Sequence, residues 1–78
     1  MTAPLKTVSQ AYLLGISDGR ETLKLFQQQG MADLATFKAE LANCEAMLRQ
    51  GFSGDMRQCC LGERDFWRNQ VKRMEGKS

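Results

Sequence analysis

The sequence predicts an all-α protein made of three amphipathic helices. Apolar residues recur at spacings of three and four along three segments, glycines separate these segments, and the 78 residues include a single proline. Each apolar stripe needs a partner, so we expect an antiparallel bundle of the three helices. A hairpin of the first two helices, with the third used to dimerise, is the alternative. The chain is one domain, residues 1–78, and its small core makes self-association an expectation.

The first helix is predicted over residues 8–29. Thr7 and Gln10 have the spacing of a capping box, in which side chains satisfy the free N–H groups at the start of a helix. Gly30 follows the last periodic residue and suits the C-terminal cap. Residues 1–6 are expected to be a frayed leader.

Two glycines lie inside this first helix. Each costs a helix interior about 1 kcal/mol, and Asp18 with Glu21 repeats the capping-box pattern, so a break near Ser17 is one alternative. The other alternative is a continuous helix, in which Gly15 and Gly19 form a flat strip that another backbone can approach closely.

Two further helices are predicted over residues 33–50 and 54–74, with residues 75–78 frayed. Asp33 is a good N-cap for the second helix, and Gly51 marks its end.

The third helix carries a narrow apolar stripe with one charged member. At 100° per residue the apolar members are Met56, Cys60, Trp67, Val71 and Met74. Glu63 lies in the same stripe, where a charge costs stability, so it marks an edge, an opening in the core or a partner contact. Phe66 and Trp67 point about 100° apart, so we expect Trp67 to anchor the core and one of the two to lie near the surface.

The composition argues against several classes of function. The chain has no histidine and no glycine-rich phosphate loop, so an enzyme is not expected. Cys44, Cys59 and Cys60 lack the spacing of zinc ligands and of a disulfide framework, so we expect free, mostly buried thiols and no metal or cofactor. The longest apolar stretch, residues 11–14, is far below the roughly 20 residues of a membrane span, so we expect a cytoplasmic protein without a membrane contact.

A basic series on the third helix is the best candidate for partner binding. The net charge of +2 is too small to indicate a polyanionic partner by itself. The series lies beside two aromatic residues, and the candidate set is Arg57, Arg64, Phe66, Trp67, Arg68 and Lys72. The same residues fit a solvated face, a protein contact or, less favoured because nearby carboxylates thin the charge, a nucleic-acid surface.

Leu14 and Leu25 are the candidates for self-association. With Ala11 they lie about 100–150° away from the main stripe of the first helix. Covering them requires the first helix to lie between the other two, or to meet a second copy or a partner.

Two stretches resemble the small helical accessory proteins encoded in the early regions of lambda-like bacteriophages. They are Ala11-Tyr12-Leu13-Leu14-Gly15 with Asp18-Gly19-Arg20, and Glu63-Arg64-Asp65-Phe66-Trp67-Arg68. The resemblance covers the chain in size and style and transfers no site residue. It implies a short, non-enzymatic regulator, often oligomeric, that is made in a bacterial cytoplasm and binds a host protein. A small nucleic-acid-binding regulator using the basic face of the third helix is the alternative.

Overall fold

A computed structural model describes residues 9–76, which form three α-helices. These are α1 (Gln10–Gln29), α2 (Leu34–Arg49) and α3 (Gly54–Glu75), with no strand in the described range. The all-α prediction is confirmed. The expected leader, the Thr7 cap and the fraying of residues 77–78 lie outside the described residues.

Side-chain caps set the starts of the first two helices. The Ser9 hydroxyl accepts a hydrogen bond from the Tyr12 N–H at 3.1 Å, so α1 begins at Gln10, two residues later than predicted. The Asp33 carboxylate accepts from the Thr36 N–H at 2.8 Å, which confirms the predicted cap of α2. This hydrogen bond also holds the pKa of Asp33 below its usual value.

Gly30 ends α1 as predicted. Its φ of 72° is left-handed, and its N–H turns back to carbonyls of the last turn. Between Gln10 and Gln29 the helix is unbroken, so the alternative of a break near Ser17 is wrong.

The central helix is α3, and α1 runs parallel to it. The Ser9 hydroxyl lies 3.5 Å from the Gln58 side-chain oxygen near the start of both helices, and further along Gly19 faces Phe66. The order of these contacts is the same along both helices, as in an up-down-up arrangement.

The second helix, α2, runs antiparallel to α3 on its other side. Lys38, near the start of α2, pairs with Glu75 at the end of α3 at 3.4 Å, while Phe37 packs on Trp67. Among the described residues no Cα of α1 lies within 8 Å of a Cα of α2. The alternative of a hairpin formed by the first two helices is therefore wrong, because α1 and α2 each pack on α3 and not on each other.

Both aromatic residues at the centre of α3 are buried. Trp67 is 1% exposed and packs against Phe26 of α1 and Phe37 of α2, with ring centroids 5.9 and 5.4 Å away. Phe66 is 8% exposed, meets Trp67 edge to face at 4.9 Å and lies against Gly19. The expectation that one of the pair lies near the surface is wrong because α3 is covered on two sides, so directions 100° apart both point inward.

The helices α1 and α3 are in backbone contact at two glycines. A Cβ on Gly15 would overlap the carbonyl oxygen of Cys59, and a Cβ on Gly62 would overlap the carbonyl oxygen of Tyr12. The flat strip predicted for a continuous first helix is therefore present, and α3 packs against it. Gly62, its counterpart, was not anticipated.

No helix within residues 9–76 combines the length and apolar character needed to cross a membrane.

Candidate functional site

A polar cleft of about 510 Å³ lies between α1 and α3. Arg20 borders it from α1, and Asn69, Gln70, Lys72 and Arg73 border it from the C-terminal half of α3. We call this the α1–α3 cleft. The parallel packing of the two helices places cations from both on one opening.

A hydrogen-bonded carboxylate closes one side of the α1–α3 cleft. The Tyr12 phenol donates to Asp65 Oδ2 at 2.5 Å, and Arg64 donates to Asp65 Oδ1 through Nε at 3.1 Å and Nη2 at 2.8 Å. Arg64, a member of the predicted basic series, is thus paired within the chain. The carboxylate has a partner at each oxygen.

The hydrogen bonds and charges of this network shift the pKa values of Asp65 and Tyr12. Burial pushes the pKa of Asp65 upward, but hydrogen bonds from Tyr12 and Arg64, with the Arg64 and Arg68 charges, outweigh it and hold that pKa below the usual value. The hydrogen bond to Asp65 raises the pKa of Tyr12, helped by burial. At neutral pH Asp65 is therefore ionised and Tyr12 keeps its proton.

The three cations at the opening are available to a ligand. Arg20, Lys72 and Arg73 are exposed, and none has a carboxylate within 4.0 Å among residues 9–76. Two further cations, Arg64 and Arg68, act on Asp65 at the side of the same cleft. The cleft and its border therefore carry a local group of cations on a chain whose net charge is only +2.

The basic face predicted for α3 is divided by the fold. Lys72 lines the α1–α3 cleft, Arg68 lies exposed beside it, Arg64 is held by Asp65, and Arg57 is exposed near the start of α3. Phe66 and Trp67, proposed with them for partner binding, are core residues. Arg20 and Arg73 were not predicted as members, and nothing in the sequence groups Arg20 with α3 until α1 is known to run parallel to it.

The outward face of α1 exposes leucines. Leu14 is 61% and Leu25 54% exposed, as expected, and Leu13, which the sequence analysis did not single out, is 51% exposed. We call these three the outer leucines. Leu13 and Leu14 border a shallow hollow of about 290 Å³ with Gln10. Because α3 is the central helix, the fold does not cover this face within the described residues.

Glu63 lies at an acidic junction of the three helices. It is half-buried, and burial raises its pKa, as do the charges of Asp18 on α1 and Glu40 on α2. Its carboxylate lies 4.0 Å from the Cys59 sulfur. Glu63 thus marks an incompletely covered part of the core, as one of the alternatives for it predicted.

Donor atoms of Asp18, Cys59 and Glu63 lie within 4.8 Å of one another, the spacing of a metal-ligand set. Carboxylates suit hard cations, whereas a thiol ligates soft metals and only as a thiolate. Burial, with the Glu63 charge, raises the pKa of Cys59, so this thiol stays protonated at neutral pH. The donor set is therefore poorly matched to either class of metal.

The thiols are free, and Cys44 and Cys60 are buried as expected. Burial raises the pKa of Cys44 to about 12 and also raises the pKa of Cys60. No histidine is present in the sequence to remove a thiol proton. These groups are unsuited to nucleophilic chemistry at neutral pH.

No protein-family model, no curated protein and no solved structure matches this chain.

Proposed function

We propose that this chain is a small, non-enzymatic regulatory or accessory protein of the lambda-like phage type, which binds a host protein in the bacterial cytoplasm. The observation that carries the proposal is the exposure of the outer leucines, Leu13, Leu14 and Leu25.

Within residues 9–76 the outer leucines have no packing role that would explain them. The inward face of α1 is already packed on α3 through Gly15, Gly19 and the core residue Phe26. Single exposed leucines are common on protein surfaces, but Leu13 and Leu14 are adjacent and border a hollow. Complete burial of a leucine contributes about 1.5–3 kcal/mol, so half-exposed neighbours are a useful source of binding energy.

The chemistry of the remaining residues supports a binding role over catalysis. Cys44 has a pKa of about 12, and Asp65 and Tyr12 are committed to each other. Neither arrangement offers a nucleophile with a neighbouring base at neutral pH.

The test compares the chain with a Leu13→Ser/Leu14→Ser variant. Ala35→Ser/Ala39→Ser, two exposed positions of α2, is the matched control. After cross-linking in bacterial lysate, a host protein recovered with the wild-type and control chains, but not with the leucine variant, is expected. Equal recovery with the leucine variant would contradict the proposal.

Sedimentation equilibrium under reducing conditions separates a host protein from a second copy at the same face. If the wild-type chain associates with itself and the leucine variant is monomeric, the outer leucines join two copies. The host partner is then sought on a different surface. A monomeric wild-type chain assigns the leucines to the host protein.

The second candidate is a nucleic-acid-binding regulator. Four cations, Arg64, Arg68, Lys72 and Arg73, within ten residues of α3 favour it. The burial of Phe66 and Trp67 counts against it, since single-stranded nucleic acids usually stack on exposed aromatic rings. Absence of a gel shift at low salt would exclude it.

A further inference from the structure

We infer that the α1–α3 cleft binds a short acidic peptide segment that presents two or three carboxylates. This inference rests on the proposed function and adds the chemical class of the partner.

Charge complementarity is the first argument. Arg20, Lys72 and Arg73 converge on one opening from two helices, and no carboxylate of residues 9–76 lies within 4.0 Å of any of them. Like charges held together without counter-charges repel one another, and an anionic ligand relieves that repulsion. Arginine also offers a planar fork of donors that matches the two oxygens of a carboxylate.

The neutral groups of the cleft suit a peptide. Asn69 and Gln70 each present an amide, which both donates and accepts, as a peptide main chain requires. The apolar edge is supplied by Ile16. A volume of about 510 Å³ falls in the range of about 300–1,000 Å³ typical of ligand pockets, so it holds a few side chains.

Asp65 does not oppose such a ligand. One carboxylate oxygen accepts a hydrogen bond from the Tyr12 hydroxyl at 2.5 Å, and the other accepts one from Arg64 at 2.8 Å. The negative charge of Asp65 is therefore already compensated. The Tyr12 contact also ties α1 to α3 at the cleft and fixes the distance between the cations of the two helices. Asp65 is thus a positioning residue for the site.

The same geometry disfavours nucleic acid as the ligand. Aromatic surface is limited in the cleft among residues 9–76, because Phe66 is 8% exposed and Tyr12, the other aromatic lining residue, is half-buried with its hydroxyl bound to Asp65. Three cations in one recess match a cluster of carboxylates better than a phosphate backbone, which needs a long track of contacts.

The experiment measures fluorescence anisotropy of a labelled octapeptide that alternates glutamate with alanine. Its glutamine counterpart and an eight-residue oligothymidylate are compared. The cleft variant is Arg20→Gln/Lys72→Gln/Arg73→Gln. The control variant Lys24→Gln/Lys38→Gln/Arg49→Gln removes the same charge from surfaces outside the cleft. Circular dichroism verifies that both variants are folded.

We expect the acidic peptide to bind the wild-type chain, with the affinity falling at least about tenfold in the cleft variant and changing less than about twofold in the control. Equal losses in both variants, no binding of the acidic peptide, or preferential binding of oligothymidylate that displaces the peptide would each overturn the inference.

The Leu13→Ser/Leu14→Ser variant separates the two proposals. If this variant binds the peptide but captures no host protein, the result supports host binding by the outer leucines and peptide binding by the α1–α3 cleft as separate properties. If the peptide fails to bind while the wild-type chain still captures a host protein, only the acidic-peptide inference is lost.

Discussion

The phenol of Tyr12 donates a 2.5 Å hydrogen bond to Asp65, joining α1 to α3 across 53 positions of sequence. We expect Tyr12→Phe, which keeps the ring, to lower the free energy of unfolding by about 1–3 kcal/mol, since the acceptor is charged. Urea titration followed by circular dichroism measures this. Asp65→Asn is the companion variant, and an unchanged midpoint in both would contradict a stabilising role for the pair.

The same pair predicts how stability depends on pH. The pKa of Asp65 is lowered in the folded chain, so its contribution is present above the unfolded value and is lost as the pH falls through the folded value. The pKa of Tyr12 is raised, so its contribution is lost as the pH rises through the folded value, above 10.0. We expect thermal melts of Tyr12→Phe to lose less stability than wild type at both extremes.

The backbone contact of α1 with α3 reverses the usual effect of alanine in a helix. Glycine to alanine normally favours a helix by about 1 kcal/mol. At Gly15 or Gly62 the new Cβ would meet a carbonyl oxygen of the other helix, so we expect a loss of about 1–3 kcal/mol for each. Ser17→Ala, exposed on α1, is the control and is expected to change stability by less than about 0.5 kcal/mol. Stabilisation by either glycine substitution would contradict the close approach.

Neutralising Glu63 is expected to increase the stability of the fold in a pH-dependent way. Its pKa in the folded chain is raised above 4.5, so the ionised carboxylate destabilises the fold, and stability falls as the pH rises through this range. We expect Glu63→Gln to stabilise the chain at pH 7, by less than about 1 kcal/mol because solvent screens the half-buried charge, and to give no gain below pH 4. Glu21→Gln, on the exposed side of α1, serves as the comparison in the same urea titrations. A gain independent of pH would show that charge is not the cause.

The thiols are expected to react in an order set by exposure and by pKa. At pH 8 a pKa of about 12 leaves roughly one Cys44 in ten thousand as thiolate. We expect iodoacetamide to modify Cys59 first and Cys44 last in the folded chain, with the order abolished in urea. Peptide mass spectrometry over time measures the rates. Fast modification of Cys44 in the folded chain would contradict its burial.

Trp67 gives a direct test of the core. It is the one tryptophan of the sequence and is 1% exposed, so its emission should be blue-shifted and poorly quenched by acrylamide until the chain unfolds. Trp67→Ala is expected to cost about 3–5 kcal/mol because it leaves a cavity against Phe26 and Phe37. Strong quenching of the folded chain would contradict the packing.

The sequence was a good guide to local structure. Asp33 and Gly30 were recognised as caps because their chemistry acts within one turn, and the apolar periods located all three helices. The start of α1 was misplaced because Thr7 and Ser9 both suit an N-cap by residue type, and the sequence does not show which hydroxyl accepts from the first turn.

The arrangement of the helices was not contained in those patterns. Periodicity shows which face of a helix is apolar and not which helix covers it, so the central position of α3 and the burial of Phe66 were missed. The cationic opening was found only in part for the same reason, since Arg20 joins Lys72 and Arg73 through packing alone. The exposure of Leu14 and Leu25 was foreseen because their direction on α1 differs from that of the main stripe.

The central place of α3 has a consequence for synthesis. Synthesis makes α1 and α2 before α3, and among residues 9–76 no Cα of α1 lies within 8 Å of a Cα of α2, so these two helices have few native contacts to form first. Folding of the three helices is therefore delayed until α3 emerges, and it then proceeds as one late cooperative event that brings distant parts of the chain together. During that interval the nascent protein exposes the apolar faces of both helices, and it depends on rapid completion or on chaperones to avoid aggregation.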